Sequence, residues 1–197
     1  MDLKKYISGF DGLTIHLVGP FFKETELLEE PIIYVDGGAR FRKDLKGFSV
    51  GDGDSSTGKL DQTLNKEKDF SDLAFALGCI PNIFSIIQLH GFLGFRIDHE
   101  IMNLAEVHSL LSKVNRPTQA HFDKSIIAFS KGEWSLHIQG VFSLFAFAPV
   151  ELKLSGACDY KLEEIRTLKA LSSHGLSNKG HGAIEIHCTA PIFIFFN

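Results

Sequence analysis

The chain has 197 residues, 44% of them apolar and 22% charged. That is the balance of an ordinary globular protein, and it excludes a largely disordered chain, a coiled coil and a collagen-like repeat. Lys and Arg number 20 against 24 Asp and Glu, a net charge of −4; no broad basic field exists, so nucleic acid is not an expected partner.

Leu13–Phe22 is apolar but carries His16 and has no small-residue cleavage site, so it reads as a buried strand rather than a signal peptide. Leu13–Val18 and Ile32–Val35 are the first two strand candidates, each ending where Gly and Asp appear. Phe48–Val50 reads as an apolar turn. Phe70–Leu77 starts a helix that Asp69 or Ser71 can cap. Ile83–Leu89 is a third strand, followed by the Gly-broken loop Gly91–Phe95. From Ile97 to Val114 the apolar residues Ile97, Ile101, Leu104, Ala105 and Leu111 recur at helical spacing. Strands alternating with helices predict an α/β unit with a mostly parallel sheet.

After Pro117 the pattern changes. Gln119–Phe122, Ser125–Ser130, Trp134–Ile138, Phe142–Phe147, Glu151–Leu154, Ala183–His187 and Ile192–Phe196 are short strand-like runs with turns between them. They predict a small all-β unit, with the domains at 1–120 and 121–197. No apolar run reaches the roughly 18 residues of a membrane span, so no membrane partner is expected. Cys79, Cys158 and Cys188 have no metal or redox spacing and read as reduced thiols of a cytoplasmic protein.

Chemistry concentrates in polar turns after the apolar runs. Asp52 and Asp54 in Gly51–Ser56 can share a hard cation such as Mg²⁺ if the backbone there is extended, although a plain Gly/Asp/Ser turn has the same composition. Gly53–Lys59 spells a P-loop, but Leu60 stands where the hydroxyl for magnesium belongs and Asp54 would repel phosphate, so it is a decoy. Gly37 and Gly38 after Asp36 permit close approach of backbone to a ligand, and Asp36 can hold a cation or a hydroxyl. Lys68–Asp72 opens a helix, where its acids also suit the dipole. Gly91–His99 leads from a strand into a helix, where backbone N–H groups and Arg96 form a phosphate grip. Together these turns point to one nucleotide and metal site.

The ordered set DGGA, GDGDSS, DFSDLAFAL and GFLGFRIDH, with Asn103-Leu104 downstream and a late GLSN, resembles the thiamine pyrophosphokinase family over nearly the whole chain. The resemblance implies a Rossmann-like α/β domain that binds ATP and Mg²⁺, followed by a β-sandwich that binds thiamine. It implies transfer of pyrophosphate from ATP to the thiamine hydroxyl, releasing AMP. Asp52, Asp54 and Asp72 would hold Mg²⁺, with Arg96 as a further catalytic residue binding phosphate. Asp36, Gly37 and Gly38 would line the nucleotide or metal side, and Ser71, Gly94, Asp98 and His99 the nucleotide side. Ser177 and Asn178 would meet thiamine, across the interface of a homodimer. Alternatives are a pyrophosphokinase for another hydroxymethyl acceptor such as a pterin, and a nucleotide- or thiamine-binding module without turnover.

The chain departs from the family pattern at Arg40 (usually Asn), Gly53 (usually Phe), Ser71 (usually Thr), Phe95 (often Gly) and Ala146 (usually Pro). None of these removes a proposed metal ligand. His174, His181, His187 and Cys188 fit no common zinc spacing and read as residues of the β unit, with Trp134 in its core.

Overall fold

The computed structural model describes residues 1–23, 28–43, 46–54, 59–94 and 96–196. Ser55, Ser56 and Gly58 of the acidic turn, and Phe95, lie outside them. The protein is a mixed α/β structure built on extensive β-sheet, and it divides into two compact units, Met1–Leu110 and Leu111–Asn197.

The first unit carries α1 (Leu3–Ile7), β1 (Thr14–Val18), β2 (Ile32–Val35), a 3-10 turn over Asp36–Phe41, β3 (Phe48–Gly51), β4 (Gln62–Thr63), α2 (Asp72–Gly78) and β5 (Ile86–His90), and α3 (Ile97–Lys113) begins in it. Its strands run parallel in the order β5-β1-β2-β3-β4. Strands covered on both faces read as continuous apolar runs, and every residue of β2 and β3 is buried. Ile15, Leu17, Ile33 and Val50 have no exposed surface, each contributing about 1.5–3 kcal/mol of apolar burial. Ser71 caps α2, its Oγ accepting from Ala74 N at 2.9 Å, while Leu73, Ala76 and Leu77 turn inward. From β1 the chain builds outward to β2 on one side and to β5 on the other. Such a switch opens a crevice at the carboxyl ends of the strands, where α/β sheets receive ligands.

Three sequence expectations change here. Phe48–Val50 belongs to strand β3, not to a turn, because it pairs with Ile33–Val35 of β2. The third strand begins at Ile86 rather than Ile83, since Phe84 N closes a turn onto Pro81 O at 3.2 Å. On α3, Leu104, Val107 and Leu111 are buried, whereas Ile97 and Ile101 are 74% and 47% exposed.

The second unit carries β6 (Gln119–Phe122), β7 (Ile126–Phe129), β8 (Gly132–Phe145), β9 (Val150–Cys158), β10 (Leu162–Leu168), β11 (Asn178–Cys188) and β12 (Ile192–Phe196). Neighbours are antiparallel in the order β10-β9-β11-β8-β12-β7-β6. The two runs at Trp134–Ile138 and Phe142–Phe147 form one strand, because Gly140 stays in the ladder opposite Gly180. Gly132–Phe142 of β8 pairs with β11, and Phe142–Phe145 pairs with β12. Phe142, Leu152, Ile184 and Ile194 meet in one core. Trp134 packs on that core and donates its Nε1 proton to Ser130 O at 2.9 Å.

Candidate functional site

β2 and β3 end side by side, with Val35 opposite Val50, so the residues that follow share the carboxyl edge of the sheet. Asp36 leaves β2 at φ 49°, a left-handed conformation that Asp tolerates better than most residues. The 3-10 turn can then lie against the end of β1 only because residue 38 is Gly; a methyl group there would stand 2.1 Å from Val18 O. At the end of β3, a methyl group on Gly51 would stand 2.9 Å from Asp36 Cα and 3.4 Å from Asp72 Oδ2. These close approaches bring the acids together. Carboxylate oxygens of Asp36, Asp52 and Asp54 lie within 4.8 Å of one another, the one such His/Cys/Asp/Glu group of three among the described residues.

Asp72, which the resemblance implies as a further Mg²⁺ ligand, is paired with a lysine. Its Oδ1 lies 2.9 Å from Lys68 Nζ, and the same ammonium reaches Asp52 Oδ2 at 3.0 Å. The carboxylate group of three thus holds Asp36, while Asp72 lines the same cavity beside it. Lys68 is only 8% exposed. Its hydrogen bond to Asp52, aided by the Asp54 N–H, holds that carboxyl below the usual range. Burial works against the charge on Lys68, but hydrogen bonds to Asp72 and Asp52 carry its pKa above the ordinary lysine value. Sequence reasoning passed over Lys68, although its i,i+4 spacing to Asp72 was a visible signal.

These acids line a cavity of about 440 Å³ together with Ser71, Gly94, Arg96 and His99. Gly37 and Gly38 are buried in the turn behind Asp36. The Arg96 guanidinium forks onto Asp98, with Nε to Oδ1 at 3.1 Å and Nη2 to Oδ2 at 2.6 Å. That pair is exposed, and the guanidinium holds the Asp98 carboxyl down to about 2. Glu100 Oε1 accepts from Gly94 N at 2.7 Å, and Asn103 Nδ2 donates to Phe92 O at 2.8 Å. The loop before α3 is thus held by the helix that follows it.

No family model matches the sequence, and no curated protein matches it. Solved structures do. Thiamine pyrophosphokinase from Bacillus subtilis superposes with a TM-score of 0.69 at 24% identity, over 92% of this chain and 98% of that one. The enzyme from Candida albicans gives 0.68 at 12% identity, over 96% and 89%. That from Geobacillus thermodenitrificans gives 0.67 at 19%, over 93% and 97%. The chain has the thiamine pyrophosphokinase fold.

Within this thiamine pyrophosphokinase fold, the two β-unit residues of the sequence reading fare differently. Ser177 is exposed, at φ 59°, with its backbone N bonded to Ser143 Oγ at 3.0 Å. Asn178 is buried at the start of β11. Its Oδ1 accepts from Tyr160 N at 3.0 Å and Lys179 N at 2.8 Å, and its Nδ2 donates to Tyr160 O at 2.7 Å. A further hydrogen bond joins the Asn178 side chain to the Cys158 sulfur. Asn178 also lines a second cavity, of about 460 Å³, with Leu144, Tyr160, His174 and Leu176. The histidines near the C-terminus do not converge: His181 pairs with Asp159 at 2.6 Å, and His187 lies 3.8 Å from Glu133. Among the described residues no helix is long and apolar enough to cross a membrane.

Proposed function

We propose that the protein is an Mg²⁺-dependent thiamine pyrophosphokinase of the cytoplasm. In this reading the acceptor hydroxyl oxygen attacks the β-phosphorus of ATP, the bond to the α–β bridging oxygen breaks, and AMP leaves as the hydroxyl proton is lost. The observation that carries the reading is the convergence of Asp36, Asp52 and Asp54 on one crevice of this fold, beside Lys68 and Arg96. An octahedral Mg²⁺ spaces its oxygen ligands roughly 3–4 Å apart. Three carboxylates within 4.8 Å of one another supply the oxygen donors such an ion takes, and a small inward shift of their side chains reaches that spacing. When bound, Mg²⁺ would neutralise phosphate charge, which is the main demand of phosphoryl-type transfer.

The remaining roles follow from position. Asp36, Asp52 and Asp54 are the Mg²⁺ ligands, and Asp72 orders Lys68 against Asp52. Arg96, Gly94, Ser71, Asp98 and His99 serve the ATP side. The first unit is the Rossmann-like ATP domain, and the second is the sandwich that supplies Ser177 and Asn178 to thiamine in a homodimer. An assay for AMP and thiamine diphosphate, with ATP, Mg²⁺ and either thiamine or a hydroxymethylpterin, tests the reading. Thiamine should be consumed, and Asp54→Asn should lose at least about a hundredfold in turnover while keeping its circular dichroism. Turnover of the pterin alone, or an Asp54→Asn variant as active as the parent, refutes it.

A further inference from the structure

The sequence reads the loop before α3 as a phosphate grip, yet its donors are already engaged by carboxylates of the same chain. Gly94 N–H donates to Glu100 Oε1 at 2.7 Å, and the Arg96 fork is closed on Asp98. Gly94, Arg96 and Glu100 all line the cavity that holds the acid group. Asn103 gives the loop a second attachment to α3, through Phe92 O. A carboxylate accepting from a backbone N–H near a helix start offers the same charge and the same acceptor atoms as a phosphate oxygen.

We propose that Glu100 is an internal stand-in for a nucleotide phosphate, which occupies Gly94 N–H until ATP displaces it and so lowers the affinity for ATP. The proposal rests on the pyrophosphokinase reading for the identity of the ligand. The exchange is balanced: one N–H···carboxylate bond breaks, one N–H···phosphate bond forms, and the released Glu100 carboxylate returns to water, which is close because the contact is exposed.

Calorimetric titration of the parent, Glu100→Gln and Glu100→Ala with Mg·ATP, inorganic tripolyphosphate and adenosine tests it. The Ala variant should bind ATP and tripolyphosphate roughly fivefold tighter, the worth of one ordinary solvent-exposed hydrogen bond. Adenosine, which has no phosphate, should bind all three proteins equally. Unchanged or weaker ATP and tripolyphosphate binding by the Ala variant would mean that Glu100 only supports the loop, and overturns the proposal. Tighter adenosine binding to the same degree would overturn it too, since the gain would not be specific to phosphate. If tripolyphosphate tightens but no protein binds ATP, the stand-in survives and the nucleotide reading falls. If no protein binds either phosphate compound, both fall.

Discussion

Replacing Lys68 by Met keeps the length of the side chain and removes its charge. The Lys68 side chain is 8% exposed, and those of its partners Asp52 and Asp72 are 15% and 10% exposed, so neither carboxylate recovers full hydration when the amine is lost. The Asp52 contact is a hydrogen bond between charged groups and the Asp72 contact an ion pair of similar length, each worth about 1.5 kcal/mol. Two of them set a loss of about 3 kcal/mol, the lower edge for breaking a buried ion pair. For a chain of this size each kcal/mol shifts Tm by about 2–4 °C, so the variant should melt roughly 6–12 °C lower. The carboxylates left behind have lost their internal cation, and Mg²⁺ should compensate. An ion at a hundred times its Kd stabilises by about 2.7 kcal/mol, and the variant should gain more from it than the parent does. Differential scanning calorimetry with and without MgCl2 reads both effects. A Tm within about 2 °C of the parent, or the same Mg²⁺ increment in both proteins, would refute the view that Lys68 neutralises this acid group.

Three further outcomes are expected. His16, half-buried and 3.0 Å from His90, has its pKa pushed down to about 4, first by burial and then by the neighbouring imidazole. The unfolded chain binds this proton below about 6.5 and the folded chain only near 4, so stability should fall as pH drops through that window, by about 3.4 kcal/mol at most and roughly 2 once solvent reaching the half-buried ring is allowed for. Urea titrations should show that slope, and His16→Phe should flatten it. Asn178→Ala removes three bonds to backbone from a buried site and should cost about 2–3 kcal/mol in urea; an unchanged midpoint would show that the Tyr160 turn holds without it. Arg96→Ala breaks only an exposed pair, so Tm should stay put while the KM for ATP rises; unchanged kinetics would remove Arg96 from the site.

Much of this was legible because the signals are local. Ser71 caps α2 as its type and position indicate, and the apolar runs Thr14–Val18 and Ile32–Val35 are strands. What escaped depends on contacts between segments. Gly140 looks like a break until its partner is known to be Gly180, another residue without a side chain. β10 runs along β9 with a mostly exposed LEEIRTL that shows no alternation. The grouping of Asp36 with Asp52 and Asp54 hangs on one left-handed backbone angle, and the pairing of Asp72 on the seat Lys68 finds between two acids. The contact of Glu100 with Gly94 joins a helix side chain to a backbone N–H six residues earlier, a pairing that no periodicity announces.

β11 alternates buried and exposed residues from Asn178 to Cys188 and is laddered on both edges, by β8 and β9. Slipping that strand by one residue would drive Lys179, His181 and Glu185 inward, so it can move only in steps of two residues, about 7 Å. The strand is therefore a ruler with coarse graduations, and Asn178 is its first mark. Evolution or an engineer can rewrite the outward characters at will, and Asn178 will still be found at the same distance along the sheet.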